Sequence, residues 1–209
     1  MELFFSPLSC SLATRIALYE SNQPATFHQV DAATKTLADG SDYRAINPLG
    51  QVPALRLAQG PVLTENAAIL QYVADRAPAA SLAATGDARY QLQKWLNFIT
   101  SELHKAVFVP LLDPAAPDGA KTYARGKLQL RFDVLNAHLT GREFLLDHFT
   151  VADAYLVTVL NWVAYLRIDF SPWPALQDFY QRTQQRPAVA RAFAEEMVLF
   201  QQLQARRAA

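Results

Sequence analysis

The chain has 209 residues, with 19 basic against 19 acidic side chains, 51% hydrophobic residues and a single cysteine. That length holds one large domain or two modest ones, and zero net charge leaves no broad electrostatic footprint for nucleic acid or an anionic membrane. One cysteine excludes an internal disulfide, four scattered histidines lack metal-ligand spacing, and no charged segment leads an apolar run ahead of Arg15. The expectation is a cytoplasmic protein with no metal, no nucleic-acid partner and no membrane association.

The first 76 residues alternate in type. An apolar run, Leu3-Phe4-Phe5, reads as a strand that stops at Ser6-Pro7. A helix is expected from about Cys10, with Leu12, Ile16 and Tyr19 on one face. Phe27 to Val30 reads as a second strand, and Asp31 to Ser41 as a polar loop. Asn47-Pro48-Leu49-Gly50 makes a turn, residues 53–57 alternate like a strand, and Gln59-Gly60-Pro61 turns the chain back into Val62-Leu63. Thr64 is the expected N-cap of a helix through Arg76 on which Ile69, Tyr72 and Val73 share a face.

Residues 78–86 read as a linker, and beyond it only helical periodicity is found. Leu92, Trp95, Leu96, Ile99, Leu103 and Val107 form a stripe that should end at Pro110, and Leu128, Phe132, Leu135 and Leu139 mark the return arm of a helical hairpin. The 13-residue charge-free stretch from Ala154 to Leu166 falls short of the ~20 apolar residues that span a bilayer and reads as part of a buried helix. A further helix covers 175–186, and a last one opens at Pro187 with Val189, Phe193, Met197 and Phe200 in register. Thr150 and Asp153 have the spacing of an N-capping box, which assigns them to folding.

Cys10 carries the strongest chemical signal. It stands where a strand ends and a helix begins, and unpaired amides at a helix start favour a thiolate over a thiol. Without a Cys-x-x-Cys pair, any redox cycle needs a second thiol from outside the chain. Val52-Pro53, entering a strand after a glycine turn, suits a cis bond and a corner at which a peptide-like ligand adds by main-chain hydrogen bonds, although on the dipeptide alone a trans proline is the plainer reading. Thr64-Glu65-Asn66 at a helix start suits an amino-acid head group: amides for its carboxylate, a glutamate for its ammonium.

These segments together resemble the glutathione transferases, most closely their bacterial beta class, over essentially the whole chain. The resemblance rests on residues 7–12 (Pro-Leu-Ser-Cys-Ser-Leu), on 47–55 from Asn47 to Leu55, on Leu63-Thr64-Glu65-Asn66 with Ala68, Ile69 and Tyr72, on Trp95-Leu96-Asn97 leading to Glu102-Leu103-His104-Lys105, and on Thr150 to Tyr155. It implies an α/β thioredoxin-like domain that binds glutathione (1–77), a linker (78–86) and an all-α domain (87–209) contributing the second-substrate site, in a homodimer. It implies glutathione as co-substrate and conjugation to small apolar electrophiles, with thiol-disulfide exchange through Cys10. A disulfide or peroxide reductase with little conjugating activity, or a non-catalytic scaffold, are the alternatives.

Residue by residue, the resemblance implies Cys10 beside the glutathione sulfur, helped by Ser11, with His104 as a further catalytic residue. Lys35, Gln51, Val52, a cis-Pro53, Glu65, Asn66 and Asn97 become glutathione contacts, the last together with His104 near the dimer-related site. Phe108 and Trp162 become an apolar wall for the second substrate. No tyrosine precedes Tyr19, which removes the phenolic thiolate stabiliser of several other classes.

Overall fold

The computed structural model describes residues 1–208, which divide into two compact units. The first comprises Met1–Leu82 and the chain from Arg186 on; the second is Ala83–Gln185. The fold class is the expected one, a mixed sheet with helices followed by an all-helical segment. The domain expectation of 87–209 differs from these units, because the last helix groups with the sheet-bearing unit. Its end at residue 209 lies outside the described residues. Among the described residues no helix is long and apolar enough to cross a membrane.

In the first unit, β1 (Glu2–Phe5) pairs in parallel with β2 (Thr26–Asp31) across the helix α1 (Leu12–Glu20), and β4 (Ala54–Arg56) and β5 (Val62–Leu63) add antiparallel on the other side. The sheet order is β3-β2-β1-β4-β5. Strand β3 (Thr36–Leu37) falls inside the stretch read as a polar loop. Two residues leave no periodicity to read, and a turn at Asp31, whose Oδ1 accepts from the Ala33 amide at 2.8 Å, folds them back onto β2. Alternation along β1 sends Phe4 to one face, into a core of Val30, Tyr43 and Ala54, while Phe5 meets Phe27 and the Arg15 guanidinium of α1 on the other.

Helix α2 (Asn66–Asp75) starts one residue later than expected, with Glu65 rather than Thr64 at the cap position and no side-chain capping bond. The largest departure lies in α9 (Pro187–Ala208). The expected face of Val189, Phe193, Met197 and Phe200 is rotated: Val189, Ala192 and Glu196 are fully buried, and Met197 is 40% exposed. A buried glutamate breaks an apolar stripe, so periodicity alone chose the wrong register. Its partner is Arg15, itself buried in the otherwise apolar face of α1.

The second unit opens with α3 (Ala88–Asn97), which runs on as a π-helical segment, Phe98–Phe108, and then α4 (Val109–Leu112). Buried residues Ile99, Leu103, His104, Val107 and Phe108 lie in this segment three to five positions apart from one turn to the next, so a stripe read as α-helical runs on through the π-helical conformation. The helix does not stop at Pro110 as expected but runs to Leu112, with the proline in the first turn of α4 directly after the π-helical segment. Then follow α5 (Asp118–Leu139), α6 (Val151–Leu160), α7 (Trp162–Tyr165) and α8 (Pro174–Gln184). The capping box forms: the Thr150 amide and hydroxyl donate to Asp153 at 2.8 and 2.9 Å, and the Leu145 amide donates to the other carboxylate oxygen at 2.9 Å.

Candidate functional site

The loop between β1 and α1 carries Cys10 and is closed on itself. The Ser11 hydroxyl accepts from the Ser6 amide and donates to the Ser6 carbonyl, both at 3.2 Å, and lies 2.8 Å from the Ser9 hydroxyl. Ser11, fully buried, therefore holds the loop's shape; a direct role for its hydroxyl at a thiolate would require breaking this clasp. Leu8, two residues before Cys10, has φ +58, a left-handed conformation that a side chain disfavours. Its amide donates to the Glu196 carboxylate at 2.7 Å. Burial pushes the Glu196 carboxyl up to about 7, against the opposing pull of Arg15 and the Leu8 amide.

Three of the expected segments meet at Cys10. Its Sγ donates to the Val52 carbonyl at 3.2 Å, a contact made by the protonated thiol, and its carbonyl accepts from Asn66 Nδ2 at 3.1 Å. The Val52-Pro53 peptide is cis. Asn66 is buried, and its Oδ1 accepts from the Thr14 hydroxyl at 3.0 Å, so its amide ties α1, the Cys10 loop and the start of α2 together. Glu65, beside it, is exposed, with φ +66 and ψ 114. Non-glycine residues held in such regions cluster at ligand sites, where the surroundings over-determine them.

The corner before Val52 is supported by residues that the sequence did not single out. Tyr43, fully buried on a 3₁₀ turn, donates its hydroxyl to the Gln51 carbonyl at 2.9 Å, and Asn47 Nδ2 donates to the same oxygen at 2.7 Å. Burial pushes the Tyr43 phenol up to about 12, so it stays a donor. The Gln51 side chain is exposed. Lys35 (φ +61) runs its stem over Gly50, where a Cβ would come within 3.1 Å of Lys35 Cδ; Gly50, at φ +60, takes a conformation that a side chain disfavours.

The remaining expected residues lie in the second unit. His104 is 8% exposed; its Nδ1 lies 2.7 Å from the Tyr155 hydroxyl and its ring 5.2 Å from that of Trp162. His104 is thus enclosed in the second unit and not solvated. Phe108 packs on Trp162 and Phe132, with ring centroids 5.4 and 6.5 Å away, and is fully enclosed; Trp162 keeps 7% exposure. Phe108, expected in the apolar wall of the second-substrate site, is fully enclosed within the second unit, next to the equally buried Val107. Asn97 is exposed and donates its amide to the Gln93 carbonyl of its own helix at 2.8 Å.

Burial, reinforced by Lys105, drives the His104 pKa down to about 4. Between that value and the ~6.5 of an unfolded histidine the unfolded chain binds a proton that the folded chain refuses. The resulting stability is present above the unfolded value and lost as pH falls toward 4, about 2–3 kcal/mol between neutral pH and pH ~4.5. His104→Gln should lose less stability on acidification by that amount in paired urea titrations. Equal losses in the two proteins would mean that His104 titrates normally.

Comparison with known proteins extends this picture. The glutathione S-transferase N-terminal domain model matches residues 9–76, and the C-terminal domain model matches 99–187. Glutathione S-transferase GstA of Escherichia coli O157:H7 is 41% identical over 94% of this chain and 98% of its own, and glutathione S-transferase GST-4.5 of Xanthomonas campestris pv. campestris is 39% identical over 87% and 92%. Among solved structures, BphK, a bacterial transferase in a ternary complex, superposes with a TM-score of 0.90 at 47% identity, covering 94% of this chain and 99% of that one. A sphingomonad glutathione S-transferase complexed with glutathione gives 0.89 at 44%, and the beta-class enzyme of Sphingomonas chungbukensis gives 0.90 at 43%, each covering 94% of this chain and 98% of the other. Both domains of one family are thus matched in order, along a chain that its relatives follow nearly end to end, and the chain belongs to the glutathione S-transferases, as an enzyme that resembles the bacterial beta class.

Proposed function

We propose that the enzyme binds glutathione along the Cys10–Val52–Glu65 surface of its first unit, transfers the glutathione sulfur to small apolar electrophiles, and exchanges disulfides through Cys10. One observation carries this reading: Cys10 is hydrogen-bonded to both of the other expected ligand segments, Val52 and Asn66. A tripeptide would lie with its cysteinyl unit on the Val52 backbone and its amino-acid head at the start of α2, the carboxylate on helix amides and the ammonium on Glu65. Lys35 is the cation for the glycyl carboxylate, with Gln51 alongside. The solved relative complexed with glutathione supports the ligand assignment.

Conjugation expels a leaving group from the electrophile as the glutathione thiolate forms a carbon–sulfur bond. In exchange, the Cys10 thiolate attacks a glutathione mixed disulfide, releases the other thiol and is left glutathionylated. A second glutathione then restores Cys10 and leaves as glutathione disulfide. His104, neutral and set among aromatic rings, and Trp162 suit an apolar second substrate. A homodimer acting in the cytoplasm, with Asn97 near the subunit boundary, completes the reading.

Glu65→Ala tests the head-group site. The substitution keeps the need for positive φ and removes the side chain beyond Cβ, so glutathione affinity measured by calorimetry should fall by ~2 to 5 kcal/mol, the range for breaking a charged pair that the bound ligand desolvates. Unchanged affinity would remove Glu65 from the site.

A further inference from the structure

Glu196 is fully buried on α9, a position that a carboxylate occupies only with compensating partners. The charged and titratable groups that face it are Arg15 and, beyond that, Tyr19 on α1, with Glu195 and Arg191 on α9 itself. Arg15 Nε lies 3.0 Å from Glu196 Oε1, yet neither atom completes a hydrogen bond there. The Arg15 guanidinium is also shared with Glu195 at 3.0 Å and is held against the Phe5 and Phe27 rings, 4.3 and 4.1 Å from their centroids. The aligned hydrogen bond of Glu196 goes elsewhere, from the Leu8 amide to Oε2 at 2.7 Å.

Leu8 is also where the backbone is strained, at φ +58. The far end of the same loop is closed by the Ser6–Ser11 clasp. The loop carrying Cys10 is therefore held by the serine clasp and by a carboxylate reaching in from a helix more than 180 residues away in sequence, at a residue of positive φ. We propose that Glu196 is a positioning residue for Cys10: through the Leu8 amide it fixes the backbone from Pro7 to Cys10, so that α9 sets how readily the thiol reacts. The inference rests on the reading of Cys10 as the reactive thiol.

Two conservative variants separate this role from that of a plain counter-ion to Arg15. Glu196→Gln keeps an acceptor of the same reach for the Leu8 amide but removes the charge. Glu196→Asp keeps the charge but retracts the acceptor by one methylene. The measurement is the rate of Cys10 alkylation by iodoacetamide as a function of pH, with a thermal unfolding midpoint for each protein. Positioning predicts that E196D alkylates about tenfold more slowly than wild type near neutral pH, the equivalent of one ordinary hydrogen bond, while E196Q, which keeps that bond, stays within about twofold. Wild-type alkylation profiles in both variants, or a larger effect in E196Q than in E196D, would overturn the proposal. Calorimetry of wild type with glutathione keeps the two ideas apart: absence of binding would defeat the proposed function, while the alkylation contrast would still report on Glu196.

Discussion

Replacing Cys10 with alanine should reduce exchange with glutathione mixed disulfides to the uncatalysed background while leaving glutathione affinity within a fewfold of wild type. The chain contains no other thiol to take over the attack. The substitution removes the Sγ contact to the Val52 carbonyl, but the bonds that shape the site persist: Asn66 reaches the Cys10 carbonyl, a backbone group, and Tyr43 and Asn47 hold the Gln51 carbonyl. Conjugation should survive in part, because there the attacking sulfur belongs to glutathione and amides at the start of the helix still favour its thiolate. Wild-type protein incubated with glutathione disulfide should gain the mass of one glutathionyl group on Cys10, and the variant should gain none. A variant that reduces mixed disulfides at the wild-type rate would end the assignment of Cys10 as the redox centre.

Asp153→Ala should cost about 3–5 kcal/mol of stability, as expected when a buried carboxylate is withdrawn from its partners. Alanine leaves the Leu145 amide, the Thr150 amide and the Thr150 hydroxyl facing an empty, fully buried position at the head of α6. Burial pushes the Asp153 carboxyl up to about 6, with those three donors pulling the other way. Asp153→Asn, which keeps one acceptor oxygen, should lose about 1–3 kcal/mol. Urea unfolding with unchanged slope gives the comparison. A loss below about 1 kcal/mol for the alanine variant would show that α6 is held by packing alone.

The site was legible where chemistry follows from a residue's place in the chain. Cys10 at a strand-to-helix turn, Val52-Pro53 after a glycine turn and Glu65-Asn66 at a helix start were all readable, because each signal lies within a few residues. Their supports were not. Tyr43 reads as one more core aromatic and Asn47 as a turn residue until the fold brings the Gln51 carbonyl to both. Asn66 was read as a ligand contact, and only the fold adds that its side-chain amide is bonded to Thr14 and Cys10.

Sequence by itself determined the class of fold, the order of most elements and the thiol at the first helix, since apolar periodicity and turn residues are local quantities. It also supplied the Thr150–Asp153 box, whose partners are three residues apart. The tertiary structure alone decided which face of α9 is buried. Periodicity selects the most apolar stripe, but the face that is buried brings Glu196 to two distant partners, the Arg15 charge and the Leu8 amide, which no local pattern reveals. The same holds for the π-helical turn that encloses Phe108: widening a helix by a fraction of a residue per turn leaves the composition of its stripe unchanged, and only packing against Trp162 and Phe132 distinguishes the two.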